Sequence, residues 1–201
     1  MKNKTEESRH NYNKKAKYYE EDFEGRFTLP YNEYIRDHSG VRDGLDVLDV
    51  ACGNGRLIGM LSDRAAIRAY GLDVSEEMIR VAAAAHPDIR FQVGSADILP
   101  FGDSSMDLVT VCCAFHHFEH PSVFMSEAHR ILRTRGVLLI AEPCLPPVLR
   151  QIENLFIPFF RMGDVKTYGR RQLERFFRNA GFNQIAVVRD GIRLYIEGRK
   201  K

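Results

Sequence analysis

The stretch richest in chemistry is Val47-Leu48-Asp49-Val50-Ala51-Cys52-Gly53-Asn54-Gly55. A buried strand that runs into glycines and then a helix lets backbone approach a ligand closely, with the helix N-terminus aimed at it. An acid follows 20 residues beyond Gly53, in Gly71-Leu72-Asp73-Val74. A carboxylate at the end of the next strand can accept hydrogen bonds from both hydroxyls of a ribose. Together these signals point to an adenosine-type ligand. A dinucleotide fingerprint would want glycine at 51, 53 and 56, whereas the chain has Ala51, Gly53 and Arg56, and arginine cannot give the close helix–strand packing of the third glycine. No Gly-Lys-Ser/Thr follows, so a phosphate loop is absent. Asp49 would repel a pyrophosphate and suits an ammonium or sulfonium group.

A second constellation is His116-His117-Phe118-Glu119-His120. A histidine titrates near neutral pH, so His116 or His117 could take a proton from a bound molecule. Read as metal ligands they fit poorly, because adjacent histidines on a turn are expected to diverge and known metal patterns place ligands on one face. No metal is therefore expected. Cys52, Cys113 and Cys144 each follow a strand and should reach the same sheet edge, where packing is the plain reading of a small buried thiol.

The elements that must position these residues alternate short β-branched runs with longer helical patterns, the signature of a parallel sheet with helices on both faces. Strands are expected at Asp46–Val50, Ile67–Leu72, Ile89–Val93, Asp107–Cys112 and Gly136–Ala141. Helices should start near Arg56 and after the Ser75 cap, and others should cover Ser122–Leu132 and Arg170–Ala180, the last closed by Gly181. Strands near Gln184–Val188 and Ile192–Glu197, joined through Arg189-Asp190-Gly191, read as an antiparallel hairpin. The expected fold is α/β, a Rossmann-like seven-stranded sheet, parallel except for that C-terminal hairpin. Residues 1–40 are helical and aromatic-rich. Residues 142–169 form an insertion in which Leu149, Ile152, Phe156, Phe159 and Phe160 suggest an amphipathic, lid-like helix.

A chain of 201 residues with 44% hydrophobic and 28% charged residues is ordinary globular usage, expected here as one domain over 1–201. The net charge of +2 is too near neutral for bulk attachment to nucleic acid. Residues 161–201 carry 11 Lys and Arg against 4 Asp and Glu, a local excess of +7. That basic segment keeps RNA or protein open as an alternative partner. Met1–Lys17 has no apolar signal region, and the prolines and charges of Leu145–Met162 exclude a membrane span. Four cysteines without paired spacing suit a reducing, cytoplasmic setting.

Asp49-x-Ala51-x-Gly53-x-Gly55, then Asp73, then Gly94-Ser95-Ala96-Asp97, resembles the class I S-adenosylmethionine-dependent methyltransferases. The likeness continues through Leu99-Pro100-Phe101-x-Asp103-Ser104-Ser105-Met106-Asp107-Leu108-Val109, Phe115-His116-His117-Phe118 and Glu127-x-x-Arg130-Ile131-Leu132-Arg133. With Tyr168…Leu173…Phe177-x-x-Ala180-Gly181-Phe182 and the early Tyr12-Asn13-x-x-Ala16-x-x-Tyr19-Glu20, it is similar to the small-molecule methyltransferases of ubiquinone and menaquinone biosynthesis. Arg133-Thr134-Arg135-Gly136 stands where that group carries Lys-Pro-Gly-Gly.

The resemblance implies S-adenosyl-L-methionine as cofactor and a methyl transferase activity. It implies Gly53 and Gly55 under the methionine part, with Asp49 near its ammonium and Ala51 and Asn54 also among the cofactor-binding residues. It further implies Asp73 on the ribose, Val74 and Met78 around the adenine, and Ala96, Asp97 and Ile98 at its edge. Cys113 and Ala114 would border the sulfonium, and Tyr19 would close over it from capping helices within residues 1–40. The acceptor is expected to be a small, partly apolar molecule, with nucleic acid disfavoured and a monomer or homodimer expected. An RNA or protein methyltransferase, or a non-catalytic binder of the same cofactor that docks a partner, are the alternatives.

Overall fold

The computed structural model describes residues 3–157 and 163–201. Seven strands form one sheet in the order β3-β2-β1-β4-β5-β7-β6. They are β1 (Asp46–Val50), β2 (Arg68–Asp73), β3 (Arg90–Val93), β4 (Met106–Cys112), β5 (Leu132–Pro143), β6 (Asn183–Asp190) and β7 (Arg193–Arg199). The first five pair in parallel, and β7 runs antiparallel to both β5 and β6. Helices α1 (Lys4–Lys15), α2 (Phe23–His38), α3 (Arg56–Arg64), α4 (Glu76–Ala85), α5 (Pro121–Ile131), α6 (Pro147–Phe156) and α7 (Arg170–Asn179), with short 3-10 turns at Ala16–Tyr18 and Phe115–His117, complete the described elements.

The central strands are buried on both faces, so their apolar runs split by the two-residue period of a strand. Leu48, Val50, Val109, Val111, Leu138 and Ile140 pack with Phe124 and Ile131 of α5 and Leu173 and Phe177 of α7. Val47, Leu108 and Leu139 point the other way, onto Tyr31 and Ile35 of α2 and Leu57, Ile58 and Leu61 of α3. The helices begin where local chemistry allows. Ser75 Oγ accepts from the Met78 N–H at the head of α4, and Pro121 takes the first position of α5.

Two junctions differ from the sequence reading. The chain passes from α5 into β5 at Leu132, four residues before Gly136, and the register jumps from Met106↔Leu132 to Leu108↔Val137. Residues 133–136 are thus a bulge within one strand, with Arg135 at φ 67°. In the hairpin, Asp190 pairs with Arg193, which leaves Gly191-Ile192 as a two-residue turn with Gly191 at φ 57°. The apolar insertion is helical over Pro147–Phe156, and no residue of α6 is buried. Val148, Leu149, Ile152, Leu155 and Phe156 are each 50–68% exposed. Phe159 and Phe160 lie outside the described residues. No helix among the described residues is long and apolar enough to cross a membrane.

α1 is a polar helix that lies over the C-terminal edge of the sheet and is tied down by hydrogen bonds. Lys4 N–H and Thr5 Oγ1 donate to the Glu119 carboxylate, Arg9 and Asn13 donate to Glu76, and Ser75 Oγ donates to Asn13 Oδ1.

Candidate active site

The strand order reverses at β1 and β4, and there the helices leave to opposite sides and open a crevice at the carboxyl ends of the strands. The chain leaves β1 through Ala51 at φ 56° and Gly53 at φ 53°, and leaves β4 through Cys113 at φ 50°. Left-handed backbone costs an alanine or a cysteine energy that glycine avoids, and such strain concentrates at binding sites. Gly55, at φ 81°, heads α3, where a Cβ would lie 2.9 Å from Phe91. That close approach, together with the left-handed φ, is what requires glycine there.

Asp73 ends β2 with both carboxylate oxygens held, Oδ2 by the Gly53 N–H and Oδ1 by the Ser75 N–H, each at 2.8 Å. Burial raises its pKa, opposed by those backbone donors. Asp49 is 2% exposed and accepts from Thr110 Oγ1 at 2.7 Å. Burial, reinforced by the charge of Asp73, pushes it up to about 7 against the Thr110 bond.

The main cavity runs between this floor and α1. It brings together Tyr19, Ala51, Gly53, Asp73, Val74, Met78, Ala96, Asp97, Cys113, Ala114 and His117. Asp49 and Asn54 instead line a smaller neighbouring cavity behind the glycine turn, and Asn54 donates to Glu20. Ile98 is 74% exposed and does not line the main cavity. Asp97 Oδ2 lies 2.7 Å from Nδ1 of His120, whose pKa that carboxylate raises. Thr5, Ser8 and Tyr12 close the cavity from α1, and Glu119 lines it from the loop after β4. Tyr12 sits in the quoted N-terminal motif, whereas nothing in the polar α1 pattern marked Thr5 and Ser8 as lining residues.

A second cavity adjoins the first and shares Tyr12, Tyr19, Cys113 and His117 with it. His116 and Asp164 belong to this second space. His116 Nδ1 lies 2.8 Å from Glu142 Oε2, and its Nε2 lies 3.6 Å from Asp164 Oδ1. Burial works against a charge on His116, but the Glu142 and Asp164 carboxylates outweigh it and push the pKa up to about 9. Burial and the charge of His116 hold His117 below the usual range. The expected divergence of the two rings is not observed: their centroids are 4.2 Å apart. Both rings turn toward Asp164, whose Oδ1 lies 3.6 Å from His116 Nε2 and 3.1 Å from His117 Nδ1. Glu119 and His120, by contrast, turn away to α1 and to Asp97.

Residues 48–140 match the family described as a methyltransferase domain. Over that segment the chain is similar to methyltransferase domains. Demethylmenaquinone methyltransferase of Chlorobaculum parvum is 33% identical over 112 residues, 55% of this chain and 46% of that protein. The Thermotoga maritima enzyme of the same name is 35% identical over 115 residues, 57% of this chain and 50% of that one. The chain thus spans about half the length of these curated relatives. The likeness to the Staphylococcus aureus (strain JH9) demethylmenaquinone methyltransferase is longer, 28% over 182 residues, covering 78% of this chain and 76% of that protein. Among solved structures, a SAM-dependent methyltransferase from Thermotoga maritima superposes with a TM-score of 0.78 at 20% identity, covering 96% of this chain and 99% of that one. Phosphoethanolamine N-methyltransferase 2 of Haemonchus contortus, solved with S-adenosylhomocysteine, gives 0.71 at 16% identity over 85% of this chain and 52% of that one. At these identities the two likenesses show a shared fold.

Proposed function

We propose that this chain transfers a methyl group from S-adenosyl-L-methionine to a small, partly apolar acceptor, as the menaquinone-pathway names of its relatives suggest. The observation that carries the reading is Asp73. Its carboxylate is buried and fixed by two backbone donors, yet it borders the main cavity with lone pairs left to accept from a diol. The rest of the cavity fits the same molecule. Val74 and Met78 would hold an adenine between them, Asp97 would accept from its amino group, and the open space beside Gly53 would take the methionine part. Cys113, Ala114 and Tyr19 would surround the sulfonium. When bound, this cofactor supplies an electrophilic methyl group on sulfur.

The chain's own contribution is placement and dryness. The second cavity opens onto the first across Tyr12, Tyr19, Cys113 and His117, so an acceptor seated there would meet the methyl group at that shared wall. Good alignment alone is worth roughly 7–11 kcal/mol of barrier, enough to carry such a displacement. α1 and Tyr19 keep water from the junction. The mixed aromatic and polar walls of the second cavity suit a small ring-bearing acceptor better than a nucleic acid strand.

The test is calorimetric titration of S-adenosylmethionine and S-adenosylhomocysteine into the wild type and Asp73→Ala, with NAD as control. Both sulfur ligands should bind the wild type, and affinity should fall at least tenfold in the variant. Absence of binding, or binding of NAD alone, overturns the proposal.

A further inference from the structure

We infer that His116, His117 and Asp164 form a binding site for one divalent first-row transition-metal ion, with open coordination positions facing the second cavity. One ligand atom from each of the three lies within 4.8 Å of the others. His117 Nδ1 and His116 Nε2 lie 3.1 and 3.6 Å from Asp164 Oδ1. Bonds of about 2.1 Å in tetrahedral geometry set ligand atoms about 3.4 Å apart, so these spacings bracket what an ion requires.

The orientation of each ring supports the assignment. Metal-bound histidines characteristically present their other nitrogen to a carboxylate or similar partner, which fixes ring and tautomer. Here Glu142 Oε2 holds His116 Nδ1 at 2.8 Å, and the Tyr12 hydroxyl holds His117 Nε2 at 3.1 Å. That arrangement leaves His116 Nε2 and His117 Nδ1 as the free donors, and both turn toward Asp164. His117 Nδ1 is also a buried polar atom without a hydrogen-bond partner, its approach to Asp164 being poorly aligned for one. Such an orphan is costly unless something occupies it.

The third ligand is held by backbone. Val165 and Lys166 N–H groups both donate to the His116 carbonyl, at 2.9 and 3.2 Å, which pins Asp164 beside the rings. Glu142 is fixed in turn by the Phe115 N–H at 2.8 Å. Two imidazoles and one carboxylate favour zinc, iron, cobalt or nickel over magnesium or calcium. Three protein ligands with space beyond them is the open pattern of a catalytic site, in contrast to the closed pattern of a structural one. All three residues line the second cavity, so the open positions would take an oxygen or sulfur of the acceptor. That last step rests on the methyl-transfer reading, whereas binding of the ion does not.

Cobalt(II) is the probe, because its visible absorption reports a protein-bound ion without any turnover. Chelator-treated full-length protein titrated with Co2+ should take up one equivalent with new visible bands, and Zn2+ should displace it. Asp164→Asn and His117→Gln should each weaken Co2+ at least tenfold. Glu142→Gln should weaken it by roughly 10–100-fold, the size expected from loss of an outer-shell partner. His38→Gln, on exposed α2 surface, should leave it unchanged. Circular dichroism and thermal melting of each variant check that it is folded, and S-adenosylhomocysteine is titrated into the wild type. S-adenosylhomocysteine binding with no stoichiometric Co2+ uptake, or uptake indifferent to all three substitutions, overturns the metal site. Co2+ uptake lost in the variants, in a protein that ignores S-adenosylhomocysteine, upholds the metal site and overturns the methyl-donor reading.

Discussion

Asp49 shows how one residue carries both structure and function. It sits one residue before the end of β1, buried, near the Asp73 carboxylate, and among the described residues its carboxylate accepts a side-chain hydrogen bond from the Thr110 hydroxyl. Burial raises its folded pKa to about 7, far above the unfolded carboxylate. The native state therefore binds a proton that the unfolded chain releases near pH 4. Stability from this residue is full below pH 4 and is lost as pH rises to about 7, beyond which it stays flat. The amount is on the order of 4 kcal/mol across that window. Asp49→Asn keeps the shape and removes the titration. Melting the two proteins between pH 5 and 8 should show a steeper decline in Tm for the wild type up to about pH 7, with the curves running parallel beyond it. Curves parallel over the whole range would mean that Asp49 stays ionised or gains another partner. The proposed role of Asp49 near an ammonium follows from the same physics, since a nearby cation favours the charged form.

At the scale of elements, the sheet was legible because its strands are short β-branched runs between glycines and helical periodicity. What escaped was of two kinds. The start of β5 at Leu132 was hidden because Arg133–Gly136 reads as a turn when it is a bulge. The cluster of His116, His117, Glu142 and Asp164 was hidden because its members are brought together by strand order and by backbone bonds from residues 165 and 166, none of which leaves a local pattern. The core of the cofactor cavity was legible for the opposite reason: Gly53, Asp73, Val74, Met78, Ala96 and Asp97 lie close to strand ends whose positions periodicity fixes. α1 is a third case. Its place over the cavity depends on polar anchors to Glu76 and Glu119 and very little on apolar burial, with Ser8 its one buried residue. Elements held this way open at low cost. Glu119→Ala removes the acceptor for Lys4 N–H and Thr5 Oγ1 and should speed amide hydrogen exchange in residues 4–15 at least tenfold, with exchange in β1 and β4 unchanged. Equal protection in both proteins would show that α1 is held by other contacts.

Across the whole molecule, the two ends of the sheet divide the work. The C-terminal edge carries the left-handed turns at Ala51, Gly53 and Cys113, the buried acids Asp49, Asp73 and Glu142, and the cavities described above. The N-terminal edge carries an ion-pair network in which Asp46 receives Arg68 and Arg133, and Arg133 also reaches Asp107. The Asp46 N–H donates to Asp107 Oδ2, so the network ties the starts of β1, β2, β4 and β5 together. The forked guanidinium of Arg133 can hold two carboxylates at once. Asp46 is largely buried, and removing one of its two cations leaves a carboxylate less well compensated than before. Partial exposure of Arg133 moderates the loss, so Arg133→Ala should destabilise the fold by roughly 1–2 kcal/mol. For a domain near 200 residues that is a fall in Tm of about 2–8 °C. The bulge at Arg135 separates this end from the crevice by the length of β5, so S-adenosylhomocysteine affinity should stay within about twofold of the wild type. Asp73→Ala should reverse the pattern, with ligand affinity lost by far more than its change in Tm would account for. Thermal melts and calorimetric titrations on the same two preparations read both quantities. If Arg133→Ala weakened the ligand as strongly as Asp73→Ala, the two edges would be coupled through the sheet and the division would fail.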